Sequence, residues 1–317
     1  MSTTATRVRS ERVADREAAA RARLAPLARE FPFAPRFFEH PPGSLAAGHL
    51  QHFVDEGPRT PRAVVFVHGN PTWSFAFRRA LAALRATHRV VAVDHIGCGL
   101  SDKPGHFPYR LEAHALNLER LLLSLRLERV TLVLHDWGGP IGLGFARRHP
   151  ELVERLVLCN TAVFALDGPL PLRLAACRWP IFGPLAVRGL NAFARGATWM
   201  AVVNPLPALV KRGYLLPYDS WESRVATHAF VADIPLEPAH PSWDELVATE
   251  RALPIFRDRP VHLLWGERDW VFTPHFLAEW QRRLPHAGVK RFRDAGHYLF
   301  EDEPEAFVSE LARVLAP

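Results

Sequence analysis

Short apolar runs and stretches of helical spacing alternate along most of this chain. Residues 63–67 (AVVFV) and 130–134 (VTLVL) are short apolar runs that read as buried strands, and 90–93, 153–158, 261–265 and 289–292 read as further strands. Residues 48–55 predict an earlier strand, after a proline-punctuated entry at 32–42. Residues 111–127, 140 onward, 274–284 and 305–315 read as helices. Strands alternating with helices predict an α/β protein with a mostly parallel central sheet covered on both sides.

Residues 162–240 break the rhythm and are rich in proline and aromatics, among them Trp179, Phe182, Phe193, Trp199 and Trp221. They predict a helical cap inserted after the sixth strand, with its aromatics mostly packed inside it. Residues 31–161 and 241–317 would then form the core. Residues 1–30 hold seven arginines against four acids and no apolar signal core, so they read as a solvated or helical extension rather than a secretory peptide.

The most informative stretch is residues 129–144, RVTLVLHDWGGPIGLG. A buried strand runs to Leu134, a sharp turn follows, and a helix opens near Pro140, where a missing N–H costs little. Strand, tight turn and helix with a nucleophile at the apex is the elbow of the α/β-hydrolase fold. The apex here is Asp136 rather than serine, with Gly138 two residues on and Leu134 two residues before. A carboxylate is ionised at neutral pH and can attack carbon without a base first removing a proton. Asp136 alone would also suit a helix cap; the rest of the chain favours chemistry.

Two further residues fall at strand ends in the chain order of a nucleophile–acid–base set: Asp269 in WGERD and His297 in DAGHY. Asp269 would orient the imidazole and stabilise its cation, and His297 would activate water or move a proton. Glu267 is the rival acid. Asn70, in the loop after an earlier strand, and Trp137, next to the nucleophile, would supply N–H groups to a developing charge, from the backbone and from their side chains.

The net charge of +6 over 317 residues permits an anionic partner or a membrane surface, yet no nucleic-acid motif is present. The histidines show no metal-ligand spacing; His49 and His52 would face opposite sides of a strand. No apolar run approaches the length of about 18 residues that a transmembrane helix needs. Three scattered cysteines, Cys98, Cys159 and Cys177, make no disulfide framework, so the default location is the cytoplasm.

With those residues in place, the chain resembles haloalkane dehalogenases through HGNPTWSF, DHIGCGLSDKP and HDWGGPIG. That resemblance implies that Asp136 displaces a leaving group from carbon, that Asn70 and Trp137 cradle it, and that His297 is the base with Asp269 as its acid. Asn160 stands where one subfamily places an acid, which disfavours that subfamily. After residue 30 the chain is more similar still to the β-lactone decarboxylases of bacterial long-chain olefin biosynthesis, through NTAVFAL, LNAFARGATWMAVV, YLLPYDSWESRVATHAFVADIPLEP, ALPIFRDRP and DAGHYLFED. The resemblance implies conversion of cis-3,4-dialkyl-β-lactones to cis-alkenes and carbon dioxide, with no metal or organic cofactor. Asp136 would attack the strained ring at its carbonyl, giving a mixed anhydride. An apolar cap suits two long alkyl chains, since each buried CH₂ contributes about 0.8 kcal/mol. It also implies assembly with olefin-pathway enzymes, including the lactone-forming synthetase.

Three other readings compete: a dehalogenase hydrolysing alkyl halides, an epoxide hydrolase using Tyr214 and Tyr218 as proton donors, and a non-catalytic binding module. The complete Asp136, Asp269 and His297 set argues against the last.

Overall fold

The computed structural model describes residues 3–164 and 170–316. Residues 1, 2, 165–169 and 317 lie outside it, including the end of the NTAVFAL motif and part of the expected cap.

Among the described residues, eight strands form one sheet: β1 (Arg36–Glu39), β2 (Leu50–Glu56), β3 (Arg62–Val67), β4 (Arg89–Val93), β5 (Arg129–His135), β6 (Val153–Cys159), β7 (Val261–Gly266) and β8 (Gly288–Phe292). Their order is β1-β2-β4-β3-β5-β6-β7-β8. The first two pairings are antiparallel and the other five parallel. β1 falls inside the entry read as irregular from its prolines; it is a short edge strand, the position that tolerates neighbouring prolines.

The unbroken apolar runs follow from the layering. Val65 and Val67 of β3 pack on one side with Leu132 and Leu134 of β5. Val64 and Phe66 pack on the other with Val133. Both faces are covered, so successive side chains are all apolar. The helices Leu111–Ser124, Gly138–Arg148 and Pro274–Arg283 lie on the first side. The helices Arg78–Leu84 and Pro304–Leu315 lie on the second. The helix Trp243–Arg251 packs on Gly138–Arg148, where Glu245 meets Arg147 and Arg148.

The N-terminal segment is a helix, Thr3–Leu24, in line with the helical reading, and its C-terminal part is docked on the core. Ala20 and Leu24, one turn apart, are buried with Leu27 in the second layer. Arg16 reaches the Leu100 carbonyl and Asp102, and Arg23 reaches the Leu216 carbonyl and Asp219. Arginine density, read as a mark of solvation, here ties the helix to its own chain.

His49 precedes β2 and contacts Asp102 and His106, whereas His52 is buried on Asp94 at 2.7 Å. The two therefore sit in different surroundings. No helix of the described residues is long and apolar enough to cross a membrane.

One ion cluster joins four distant parts of the chain. The Arg78 guanidinium donates to both Glu301 oxygens, at 2.5 and 2.9 Å, and to Glu30 at 3.2 Å, while Tyr214 donates to Glu301 at 2.5 Å. Breaking a buried pair leaves an uncompensated charge. Arg78→Met should therefore cost about 3–5 kcal/mol of unfolding free energy in urea, and Arg78→Met/Glu301→Met less than that single change. Equal losses in both variants would mean that Glu301 does not depend on Arg78.

Candidate active site

β5 delivers the chain to the apex residue. His135 closes the strand, Asp136 takes the left-handed backbone at φ 53°, and the helix Gly138–Arg148 starts two residues later. That turn is compatible only with a bare backbone at Gly138, where a Cβ would lie 2.0 Å from the Val67 carbonyl oxygen. Thr161 donates to the Asp136 carbonyl at 2.5 Å and fixes the turn from the β6 side.

The Asp136 carboxylate is buried, and its two oxygens have different surroundings. Oδ1 accepts the Asn70 backbone N–H at 2.7 Å, and the Trp137 backbone N–H also donates to the carboxylate. Gly69 makes room for it, since a Cβ there would lie 2.0 Å from Oδ1. Oδ2 lies 3.7 Å from His297 Nε2. β3 and β5 are adjacent and parallel, with Val67 beside Leu134, so their following loops meet at one sheet edge.

His297 follows β8, and its Nδ1 pairs with Asp269 Oδ2 at 2.7 Å. Asp269 follows β7; its Oδ1 accepts the Val271 N–H at 2.7 Å, and its Oδ2 accepts the Asn160 side-chain amide at 3.0 Å. Asn160, at φ 35°, also bonds Gly266 through both ends of its amide. The sequence showed only that Asn160 is no acid; the structure shows it holding one in place. His135 Nε2 bonds the His297 carbonyl at 2.9 Å and the Phe272 ring stacks on the His297 imidazole.

Burial pushes the Asp136 carboxyl up; the His297 charge and the Asn70 and Trp137 N–H groups oppose this without cancelling it. Burial lowers His297, but the charge and hydrogen bond of Asp269, with Asp136 behind it, reverse that and leave it raised. Burial drives His135 well below the usual range, so it is neutral.

The five expected site residues come together here. Asn70 is tethered further: its Nδ2 donates to the Thr227 carbonyl at 3.0 Å, from the helix Val225–Ala232. A primary amide has a second N–H for a ligand. The Trp137 indole borders the same space and packs against Phe230. Glu267 is instead paired with Arg291 at 2.8 Å on the surface. Tyr214 is held by Glu301, and Tyr218 donates to the Thr72 carbonyl at 3.1 Å. Neither tyrosine borders the cavity, so neither is placed to protonate a substrate in it.

That cavity has a volume of about 430 Å³, within the range of small-molecule sites. Asn70, Asp136, Trp137 and His297 line it. Phe164, Leu174, Phe193, Leu246, Phe272 and Phe276 supply much of the remaining wall, which is almost wholly apolar.

Residues 62–304 match the family model described as alpha/beta hydrolase fold. The chain belongs to the α/β-hydrolase fold family. It is 43% identical over 270 residues to the cis-3-alkyl-4-alkyloxetan-2-one decarboxylase of Shewanella oneidensis, covering 83% of this chain and 84% of that protein. The enzyme of the same name from Xanthomonas campestris is 42% identical over 278 residues, 84% of this chain and 93% of that one. The haloalkane dehalogenase DatA of Agrobacterium tumefaciens superposes with a TM-score of 0.76 at 28% identity, over 88% of this chain and 97% of that one. The similarity to the decarboxylases is thus the stronger, within a fold shared with dehalogenases.

Asp269→Asn removes the main influence that raises His297, so the imidazole pKa should fall. Histidine NMR titration would show the His297 midpoint moving to lower pH; an unmoved midpoint would mean that Asp269 does not set it.

Proposed function

We propose that this chain is a β-lactone decarboxylase converting cis-3-alkyl-4-alkyloxetan-2-ones to cis-alkenes and carbon dioxide. The observation that carries the reading is identity above 40%, across more than four-fifths of the chain, to two proteins bearing that name. The apolar cavity beside an oriented carboxylate supports it. In this reading Asp136 is the nucleophile, His297 and Asp269 complete an Asp-His-Asp triad, and Asn70 and Trp137 bind the substrate. Residues 31–161 and 241–317 are the catalytic core, 162–240 the cap and 1–30 an extension.

The grip on Asp136 bears on how the ring opens. In a serine elbow the two backbone N–H groups receive the substrate's oxyanion. Here both are engaged by the nucleophile's own carboxylate, the Asn70 N–H at Oδ1. Attack at the lactone carbonyl, the route expected from the sequence, would leave its oxyanion without them. Attack by Oδ2 on the alkyl-bearing ring carbon avoids this. That carbon's bond to the ring oxygen breaks, and the freed substrate carboxylate takes its charge toward the Asn70 and Trp137 side-chain N–H groups. In the second step the electron pair of the bond to that carboxylate forms the alkene, carbon dioxide departs, and Asp136 leaves as a carboxylate. Atoms and charge balance without water or a net proton. Inversion in the first step and anti departure in the second return the cis-alkene. His297, raised and paired with Asp269, keeps Asp136 ionised between turnovers.

The same resemblance supports a cytoplasmic enzyme that assembles with the lactone-forming synthetase; strictly monomeric elution on co-expression would overturn the assembly. A dehalogenase is the second reading, favoured by the superposition on DatA.

Gas chromatography should find alkene from a synthetic cis-dialkyl β-lactone with the wild type and none with Asp136→Ala, and little halide from bromoalkanes. Halide without alkene would reverse the two readings. Asn70→Ala should lower kcat by about 10²–10³, the usual cost of one charge-stabilising donor. In a single turnover, ¹⁸O in the lactone ring should emerge in carbon dioxide; label retained on Asp136 would restore carbonyl attack. Asp136 must be ionised to attack, so activity should fall as pH drops through its raised pKa, with an acid limb above the ordinary carboxylate value of 3.8.

A further inference from the structure

The cap has an outer face that the proposed chemistry does not use. Leu172, Ile181, Leu190 and Trp199 are 73, 77, 71 and 65% exposed, and Trp179, Phe182 and Leu185 are more than half exposed. They lie on, or in the short links between, consecutive elements: the helices Leu172–Ala176, Phe182–Pro184 and Ala192–Met200, with the π-turn Leu185–Gly189 packed between the last two. Trp179 and Phe182 touch, at 6.0 Å between ring centres. Scattered exposed apolar residues are ordinary, but a contiguous group marks a contact surface.

Charge singles out the same segment. Residues 170–217 contain six cations and no acid. The whole chain nets +6, so the other residues cancel at 33 of each sign. Arg178 turns inward onto the Val231 and Ile234 carbonyls. Arg173, Arg195 and Arg212 are exposed, and Arg188 stacks on Trp221. The next acid along the chain, Asp219, is paired with Arg23. Arg195 and Trp199 share one helix face, a turn apart. Tryptophan, phenylalanine and leucine interleaved with arginine is the composition of an element that lies in a membrane interface, apolar side in the acyl boundary and cations among the headgroups.

The cavity wall continues onto this face. Arg173 and Phe182 line it and also reach solvent.

We infer that the outer face of the cap, from Leu172 to Trp199, docks on an anionic phospholipid bilayer and presents the cavity mouth to it. A substrate with two long alkyl chains then enters from lipid, and the alkene returns to it, without crossing water. The docking rests on the surface alone; the passage of substrate rests also on the decarboxylase reading.

Vesicle flotation of the full chain, without substrate, tests the docking separately from any activity. The protein should float with vesicles of phosphatidylglycerol and phosphatidylcholine, weakly with phosphatidylcholine alone, and less as ionic strength rises. Ile181→Ser/Leu185→Ser/Leu190→Ser should lower partitioning by about tenfold or more. Arg195→Glu should lower it by at least about fivefold. Both variants should keep the wild-type melting temperature and turnover of a short-chain, water-dispersed lactone. No flotation of the wild type, or equal flotation of the triple variant, would overturn the docking. So would unchanged flotation with a triple variant that elutes as a smaller species or releases a pathway enzyme, since the face would then be a protein interface.

Discussion

A carboxylate taken out of water loses several kcal/mol of solvation unless fixed groups replace it. Asp136 is such a carboxylate, and the rest of the site follows from how it is compensated. Two backbone N–H groups, from Asn70 and Trp137, serve the carboxylate, that of Asn70 at Oδ1. They converge only because β3 and β5 are neighbours in register, because Asp136 adopts φ 53°, and because Gly69 has no side chain to occupy the space. Backbone donors are held by the sheet and need little reorganisation when charge shifts, so they fix the carboxylate where Asp136 borders the cavity.

The second layer of support comes from the remaining strand ends. Asn160 after β6, Asp269 after β7 and His297 after β8 form one chain of hydrogen bonds, which the elbow's own His135 closes onto the His297 backbone. Each member fixes the next, and a buried polar network of this kind is stable only when its members are paired. The helix Val225–Ala232, in the proposed cap, enters the same network, because the Thr227 carbonyl orients the Asn70 amide. Cap and core are therefore coupled at the residue proposed to receive the leaving carboxylate.

On the proposed route, the difference between hydrolysis and fragmentation lies in the fate of an ester on Asp136. Water activated by His297 would hydrolyse it. A substrate carboxylate on the neighbouring carbon offers a route that needs no water, and apolar walls of Phe164, Phe272 and Phe276 limit the competing one. The same apolar character continues through Phe182 to the outside of the cap, where it meets the cations that account for the net charge.

Much of this was legible along the chain. Burial on both faces writes itself as an unbroken apolar run, so most strands of the sheet could be read. The elbow, Asp269 and His297 could be found because strand ends and chain order restrict where such residues can stand. Other features carried no local mark. β1 is short and lies among prolines. The docked N-terminal helix depends on arginines meeting carbonyls and acids far away in sequence. Tyr214 and Tyr218 have the right chemistry for proton donors and are turned to Glu301 and Thr72 instead. The hydrogen bond from Asn70 to Asp136 spans 66 residues and that from Asn160 to Asp269 spans 109. Residue type and periodicity report what a segment buries; which backbone N–H meets which carboxylate is decided only when the strands lie side by side.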